Sequence, residues 1–390
     1  MKVNNRYSGS RIVIVSHIYT TGPSHMLECY LRNKGAEVLF LGHPFHFAPE
    51  PRSHYRWSQS GKTGENHYVN LFFRNDVINV IKDSLLTLWC VMKSGKFDAY
   101  VGIDGVNAVM GVLLKKLGIV RRVIYYTIDF VPKRFSFAPL NALYLWLDRV
   151  AVSGSDIVWN LSGRMTQERE KYGLSKAYRS KQHVVPMGTE GFQKKGSRDT
   201  YRKNSIAHMG HLVPVHGVSL LIQALPEIVK KVPSAHLEIL GGGPEEDDLK
   251  RLASQMNVAR YITFHGYIKS HDELLTMLSE CAVGVAPYVD SADSFIRNSD
   301  PGKVKAYLDA GLPVIVTKVP DVWRELEKYK AGVGIEYDIH ALSDAVIWIL
   351  SDEKRLSTYR EGANVMSRKY RWENIYTKAL SFIDLGSRMP

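Results

Sequence analysis

Apolar runs of strand length alternate with segments of helical period along nearly the whole chain, in two successive sets. This alternation predicts parallel sheets with helices on both faces. In the first set the runs at 12–16, 38–41, 97–103, 123–128, 157–161 and 183–186 read as strands, and 24–34 as a helix ended by Gly35. The second set has strands at 206–209, 237–240, 262–264, 283–286 and 314–317, with helices beginning near Val218, Glu246, Asp272 and Gly302. Between them lies TEGFQKKGSRDTYRKN, residues 189–204, charged and poor in apolar residues, which reads as a linker. The expected fold class is α/β: two doubly wound parallel-sheet domains, 1–188 and 205–370, facing a central cleft. Open parallel sheets bind ligands beyond the carboxyl ends of their strands, so that cleft is the expected site.

Length and composition set bounds on this reading. At 390 residues, with 45% hydrophobic and 23% charged, the chain is long enough for two or three globular domains. Its three cysteines, Cys29, Cys90 and Cys281, are too few and too scattered for a disulfide framework or a clustered zinc site. A reducing cytoplasm fits best. The apolar run before His17 is too short for a signal-peptide core, and no stretch reaches 18 apolar residues. The net charge of +12 is uneven: residues 1–200 carry 28 Lys and Arg against 15 Asp and Glu, whereas residues 201–390 carry 23 against 24. A basic first half predicts an anionic partner, either a membrane surface or a phosphorylated substrate, although a basic surface also serves solubility. Nucleic acid is not expected, because no helix-turn-helix, zinc-finger or aromatic RNA-binding signature accompanies the charge.

Two segments of the second half could hold phosphate. In LEILGGGPEEDDL, Gly241, Gly242 and Gly243 follow a strand and precede a helix, where glycines let a backbone approach a ligand; a plain strand-to-helix turn is the alternative. In SDPGKVKAYLDAGLPVIVT, Ser299 or Asp300 could cap a helix that starts at Pro301, passes Gly302 and ends at Gly311. Lys303 opposes the dipole of that first turn, and a bound diphosphate would give it a reason; a solvated lysine is the alternative.

In the order and spacing of GHLVPVHG, LEILGGGPEEDDL, ITFHGY, AVGVAPY and PGKVKAYLDAGLPVIVT, the chain resembles the GT-B glycosyltransferases. The resemblance implies two Rossmann-like domains, a nucleoside-diphosphate sugar as donor substrate on the second, an acceptor on the first, no metal, and a terminal helix at 371–390 crossing back to the first domain. It assigns Gly210, His211 and His216 to the donor's glycine loop. Tyr267 and Tyr288, placed at strand ends, are expected to shape the nucleotide pocket, with packing as the alternative. The departures are plain. Retaining members of the glycogen-synthase-like group carry two glutamates eight positions apart, where this chain has Asn298 and Ala306, and an Arg and a Lys where it has His211 and His216. A second resemblance, carried by VSHIYTTGPSHMLECYLRNKG, VIYYTIDFVP and LDRVAVSGSDIVWNLS, is to the inverting glucuronosyltransferases of xanthan assembly, which act on polyprenyl-diphosphate-linked sugars. It implies that Asp129 is the catalytic base.

The residues themselves make Asp129 suitable, since it follows the apolar run VIYYTI at a carboxyl-end rim, and inverting transfer needs one general base. Capping the turn before Pro132 is its alternative role, and turn formation before Gly105 is the role expected of Asp104. In the loop HIYTTGPSH the resemblance places His17, Gly22 and His25 beside the acceptor, with Ser24 capping the helix that follows. Two segments, 77–96 and 132–149, interleave aromatic and aliphatic residues with lysine and arginine, a pattern that suits a bilayer interface or an ordinary amphipathic helix. The expectation is a cytoplasmic, peripheral-membrane glycosyltransferase with a lipid-linked or other anionic acceptor. A retaining enzyme, a nucleotide-sugar epimerase and a silent binding subunit of the same fold are the alternatives.

Overall fold

The computed structural model describes residues 7–18, 21–45, 48, 50–59, 61–192, 201–290 and 295–385. The chain divides into two compact units, residues 1–186 with 372–390, and residues 187–371. The middle of the expected linker, 193–200, lies outside the described residues; its flanks belong to the second unit, where Asp309 accepts hydrogen bonds from the amides of Glu190, Gly191 and Phe192.

The first unit runs β1 (Arg11–Ile18), α1 (Pro23–Asn33), β2 (Glu37–Pro44), β3 (His54–Gln59), β4 (Lys62–Thr63), β5 (His67–Tyr68), α2 (Asp76–Lys93), β6 (Phe97–Ile103), α3 (Gly105–Lys116), β7 (Val120–Thr127), α4 (Ala138–Gly154), β8 (Ile157–Asn160), α5 (Gly163–Lys171) and β9 (Gln182–Val184). Its sheet has the order β4-β3-β2-β1-β6-β7-β8-β9, with β5 pairing β3. From β2 to β9 neighbouring strands are parallel, and the edge formed by β3, β4 and β5 is antiparallel. That edge was not expected from sequence, because HYRWSQ has no apolar run: its buried positions include His54, Arg56 and Ser58. Ile12–Val15 and Val38–Leu41 are fully covered on both faces, as the central strands of a two-sided sheet must be.

The second unit runs β10 (Ser205–Met209), α6 (Val218–Lys231), β11 (His236–Leu240), α7 (Glu246–Gln255), β12 (Ile262–Gly266), α8 (His271–Ser279), β13 (Val283–Ala286), α9 (Gly302–Asp309), β14 (Val314–Thr317), α10 (Val322–Lys328), β15 (Gly332–Ile335), α11 (Ile339–Leu350) and α12 (Glu353–Lys369). All six strands are parallel, in the order β12-β11-β10-β13-β14-β15. The strand β15, half glycine, carries too weak a signal to be read from sequence. A last helix, α13 (Trp372–Leu380), packs on α1 of the first unit, where the Tyr376 hydroxyl donates to the Pro23 carbonyl at 2.6 Å.

Each sheet therefore reverses direction once. In the first the chain leaves β1 towards β2 and later resumes on its other side with β6; in the second, β10 and β13 stand in the same relation. The carboxyl ends of such a pair frame the crevice in which doubly wound sheets bind ligands.

Candidate functional site

At the first reversal, register pairs Ser16 with Ile103, so His17 on β1 and Asp104 just past β6 meet at the rim. His17 Nδ1 lies 2.6 Å from Asp104 Oδ2. A carboxylate only accepts, so Nδ1 carries a proton, and in the neutral ring Nε2 keeps its lone pair. That Nε2 is buried and has no hydrogen-bond partner among the described residues. Burial pushes the His17 pKa down, but the adjacent Asp104 outweighs it and the net direction is upward. Phe45 stacks on the His17 ring at 5.9 Å, and His43, its register partner on β2, lies 5.8 Å away.

Asp104 is held in an unusual way. Its φ of 84° and ψ of 164° fall in a region that side chains with a Cβ rarely occupy. Such strain costs about 1–3 kcal/mol and clusters at functional sites. Its carboxylate caps α3 by accepting from the Asn107 amide at 2.9 Å, while the Asn107 side chain donates to the other oxygen at 2.8 Å. Asp104 thus forms the expected turn and also orients a histidine, a pairing that no local sequence pattern reveals because the residues lie 87 positions apart.

The remaining candidates on this rim are used differently. Asp129 sits two residues past β7, half-exposed, with its carboxylate 2.5 Å from Arg134 Nη2. Arg134 also stands over the Tyr144 ring at 5.4 Å. Ser24 does not cap α1: Gly22 is the N-cap, and the His25 Nδ1 accepts from its amide at 3.4 Å. Packed 5.1 Å from the Phe40 ring, His25 has its pKa lowered by burial and by Arg56. It serves the helix start, and Gly22 serves the same turn. Beneath the rim, His43 lies 3.2 Å from Asp83, which also binds Ser53 and Lys82, a buried cluster that sequence reading missed.

At the second reversal the central feature is Lys303, in the first turn of α9. The residue is 9% exposed, and its Nζ has no hydrogen-bond partner among the described residues. It rests 5.2 Å over the Tyr288 ring, and a Cβ added at Gly210 would come within 3.2 Å of it. Burial pushes its pKa down to about 7. The nearest carboxylate in sequence, Asp300, is committed elsewhere: it pairs with Lys305 at 2.9 Å and accepts from the Met187 amide at 2.8 Å. Asp300 is therefore no helix cap. Pro301 occupies the N-cap without a side-chain hydrogen bond, Ser299 Oγ donates to the Ile296 carbonyl, and Gly302 opens the helix exposed.

Two histidines share the field of this lysine. His216 has its pKa lowered to about 4 by burial and then by Lys303, and its Nδ1 lies 2.5 Å from the His211 carbonyl. His211 Nδ1 in turn meets the Gly242 carbonyl at 3.0 Å. With their Nδ1 protons given to carbonyls, these histidines organise the loop, and a neutral His216 adds no cation for phosphate. His208 on β10, unnoticed in the sequence, is also buried near Lys303 and has its pKa lowered.

The glycine run is used for packing. A Cβ at Gly241 would fall 2.0 Å from the Gly210 carbonyl oxygen, and one at Gly243 would fall 2.4 Å from that of Leu212. These two glycines let the loop after β11 lie against the loop after β10, while Gly242 faces more open space. Tyr288 is buried beneath Lys303, whereas Tyr267, beyond β12, is 78% exposed. No group of three or more His, Cys, Asp or Glu that could hold a metal occurs among the described residues.

Comparison with known proteins sharpens this picture. Residues 203–352 match the family described as Glycosyl transferases group 1. Over 96% of this chain the structure superposes on all of HepE from Anabaena in complex with UDP (TM-score 0.70, 14% identity). It superposes over the same share on 98% of sucrose-phosphate synthase from Thermosynechococcus elongatus (TM-score 0.72, 17% identity). The fold is GT-B. In sequence the chain is similar to the GDP-mannose-dependent alpha-(1-6)-phosphatidylinositol monomannoside mannosyltransferase of Mycobacterium tuberculosis, 27% identical over 48% of this chain and 49% of that protein. It is also similar to the D-inositol 3-phosphate glycosyltransferase of Corynebacterium urealyticum, 26% identical over 47% of this chain and 43% of that one. The chain thus spans about half the length of the curated relatives it matches. Within this GT-B chain the family match takes in Gly210, His211, His216, the Gly241–Gly243 run, Tyr288 and Lys303, and leaves out His17, Asp104 and Asp129.

Proposed function

We propose that this GT-B chain is a glycosyltransferase that moves a sugar from a nucleoside-diphosphate sugar to a hydroxyl of a lipid-linked or other anionic acceptor. One observation carries the reading: a buried ammonium with no hydrogen-bond partner among the described residues, placed where the second sheet opens its ligand crevice. An unpaired buried charge is expensive, and a diphosphate both offsets it and is stabilised by it as the leaving group. The printed names of the relatives agree in kind, since they describe glycosyl transfer to phosphatidylinositol mannoside and to inositol phosphate. The three free cysteines suit a cytoplasmic location.

The base in this scheme is His17. Its Nε2 takes the proton of the acceptor hydroxyl as the oxygen bonds to the anomeric carbon, and the bond from that carbon to the diphosphate oxygen breaks. Asp104 then stabilises the imidazolium, and Lys303 neutralises the departing diphosphate, so the scheme calls for no metal. Attack from the face opposite the leaving group inverts the anomeric centre, as in the xanthan-type transferases whose pattern the sequence resembles. Asp129 is the weaker candidate, because its carboxylate already holds Arg134.

A panel of nucleoside-diphosphate sugars, scored by thermal shift and then by transfer to lipid-linked acceptors with NMR assignment of the product anomer, tests this reading. We expect one donor to stabilise the chain and give an inverted product. Turnover of a nucleotide sugar without acceptor would identify an epimerase. Donor binding with no transfer to any acceptor would identify a silent subunit, and a retained anomer would remove His17 from the role of base.

A further inference from the structure

The helix α2 is built inside out. At 100° per residue, Val77, Ile78, Ile81, Leu85, Trp89 and Met92 fall on one stripe roughly 120° wide. That stripe faces solvent, with each residue between 46% and 62% exposed. The opposite face buries Asn79, Lys82, Asp83 and Thr87 alongside Cys90 and Val91. A soluble helix packed on a sheet shows the reverse arrangement.

The stripe does not stand alone. On the same layer α2 packs against α3 and α3 against α4. Their outer surface adds Leu113, Leu117, Leu143 and Trp146, while Leu71 and Phe73 lead into α2, and Phe135 and Phe137 lead into α4. An exposed apolar surface spread over three neighbouring helices exceeds what a soluble monomer leaves without purpose.

The charge around it selects the occupant. The three helices hold only three carboxylates, Asp76, Asp83 and Asp148, and the last two are buried. Exposed cations border the apolar surface instead: Arg74, Lys93, Lys96, Lys116 and Lys133, with the Lys93 Nζ 4.9 Å over the Trp89 ring. Aromatic and aliphatic side chains bordered by lysines, with no exposed acid on the three helices beyond the first residue of α2, match an anionic bilayer surface. No helix among the described residues is long and apolar enough to cross a membrane, so the contact would be with its surface.

We infer that the outer face of α2, α3 and α4 docks the first unit onto the surface of an anionic membrane. Helices in a parallel sheet run opposite to the strands they precede, so the start of α2 and the segment before α4 lie towards the carboxyl rim that carries His17 and Asp104. Docking there would bring a lipid-linked acceptor to that rim. The inference rests on the proposed function only for this purpose; its test contains neither donor nor acceptor.

Full-length protein is sedimented with vesicles of phosphatidylcholine alone and with vesicles containing phosphatidylglycerol. We expect binding to the anionic vesicles, weakened by 0.5 M salt and by K93E/K96E, and reduced at least tenfold by L85E/W89E, because two apolar anchors are lost. Circular dichroism and the thermal melting transition check that the variants fold; should L85E/W89E fail that check, the charge variant and the milder I81S/M92S decide. Absence of vesicle binding, or equal binding by the variants, overturns the inference. So does a wild-type dimer in solution that L85E/W89E separates, since the face would then be covered by a second copy. Failure of the transfer assays with vesicle binding intact would count against the proposed function alone.

Discussion

Replacing Lys303 with methionine separates the two roles of that side chain, which opposes stability without ligand and supports binding with it. Burial holds the native ammonium at a pKa of about 7, against about 10.5 in the unfolded chain. The unfolded state therefore binds more protons between these values, and the stability of the free protein should rise as pH increases from 7 towards 10.5. Integrated at pH 7, the penalty is about 4 kcal/mol, and at pH 9 it falls to about 2 kcal/mol. Methionine has similar volume and no charge, so Lys303→Met should stabilise the ligand-free protein, raising the melting temperature of the second unit by about 10 °C at pH 7. The same variant should lose the stabilisation that the donor gives the wild type. Calorimetric titration supplies an independent reading: at pH 8 in buffers of different ionisation enthalpy, donor binding to the wild type should take up about one proton as the diphosphate restores the charge of Lys303. A variant that melts lower than the wild type while binding donor with unchanged affinity and proton uptake would refute the assignment.

Other substitutions follow from the first rim and its support. His17→Ala should lower the transfer rate by about 10²–10⁴-fold while leaving the donor-induced thermal shift intact; loss of both would mean that His17 is structural. Asp104→Asn keeps the α3 cap but removes the charge that raises the His17 pKa, so the acid limb of the rate profile should move to lower pH as kcat falls. An unmoved limb would separate the two residues. Asp129→Asn should leave turnover close to that of the wild type, because the native carboxylate is paired with Arg134; abolished transfer with donor binding retained would return the role of base to Asp129. The buried Arg169 binds Asp148, Asn160 and Thr127, and Arg169→Met should destabilise the first unit by about 3–5 kcal/mol in urea, since Asp148 would be left a buried charge without its cation, held by the Tyr125 hydroxyl. A loss below about 1 kcal/mol would show that water reaches this cluster.

The parallel core was legible because buried strands such as Ile12–Val15 and Val314–Val316 are unbroken apolar runs, and their alternation with helices leaves few topologies open. The antiparallel edge was not, because a strand whose inward residues are His54, Arg56 and Ser58 satisfies them through distant partners such as Glu28. The site divides in the same way. Lys303 stood out because a lysine in a first helical turn contradicts the local electrostatics. The glycine run also stood out, and the folded chain adds a packing reason for two of its members: Gly241 and Gly243 accommodate the neighbouring loop. Asp300 had the composition of a cap and became the partner of Lys305 five residues on, a choice between two lysines that only the folded backbone makes. The pairing of His17 with Asp104 is a product of strand order, and local spacing carries no trace of it.

Buried polar groups in native proteins are nearly always hydrogen-bonded, so the departures from that rule carry information. Several buried side-chain nitrogens lack a hydrogen-bond partner among the described residues, but most belong to aromatic rings or to guanidinium groups that bond through another nitrogen, as Arg32 does to Cys29 and Arg122 to Asp156. Lys303 has no second nitrogen. Leaving it unpaired while Asp300 neutralises Lys305 lowers stability, and the fold tolerates this at the place where the second sheet reverses direction. The first sheet tolerates a comparable penalty at its own reversal, in the backbone of Asp104 beside the bare Nε2 of His17. Packing alone accounts for neither, because a glycine at 104 and a methionine at 303 would relieve both. An anion at one rim and a proton donor at the other would satisfy the two bare nitrogens, as the proposed transfer requires.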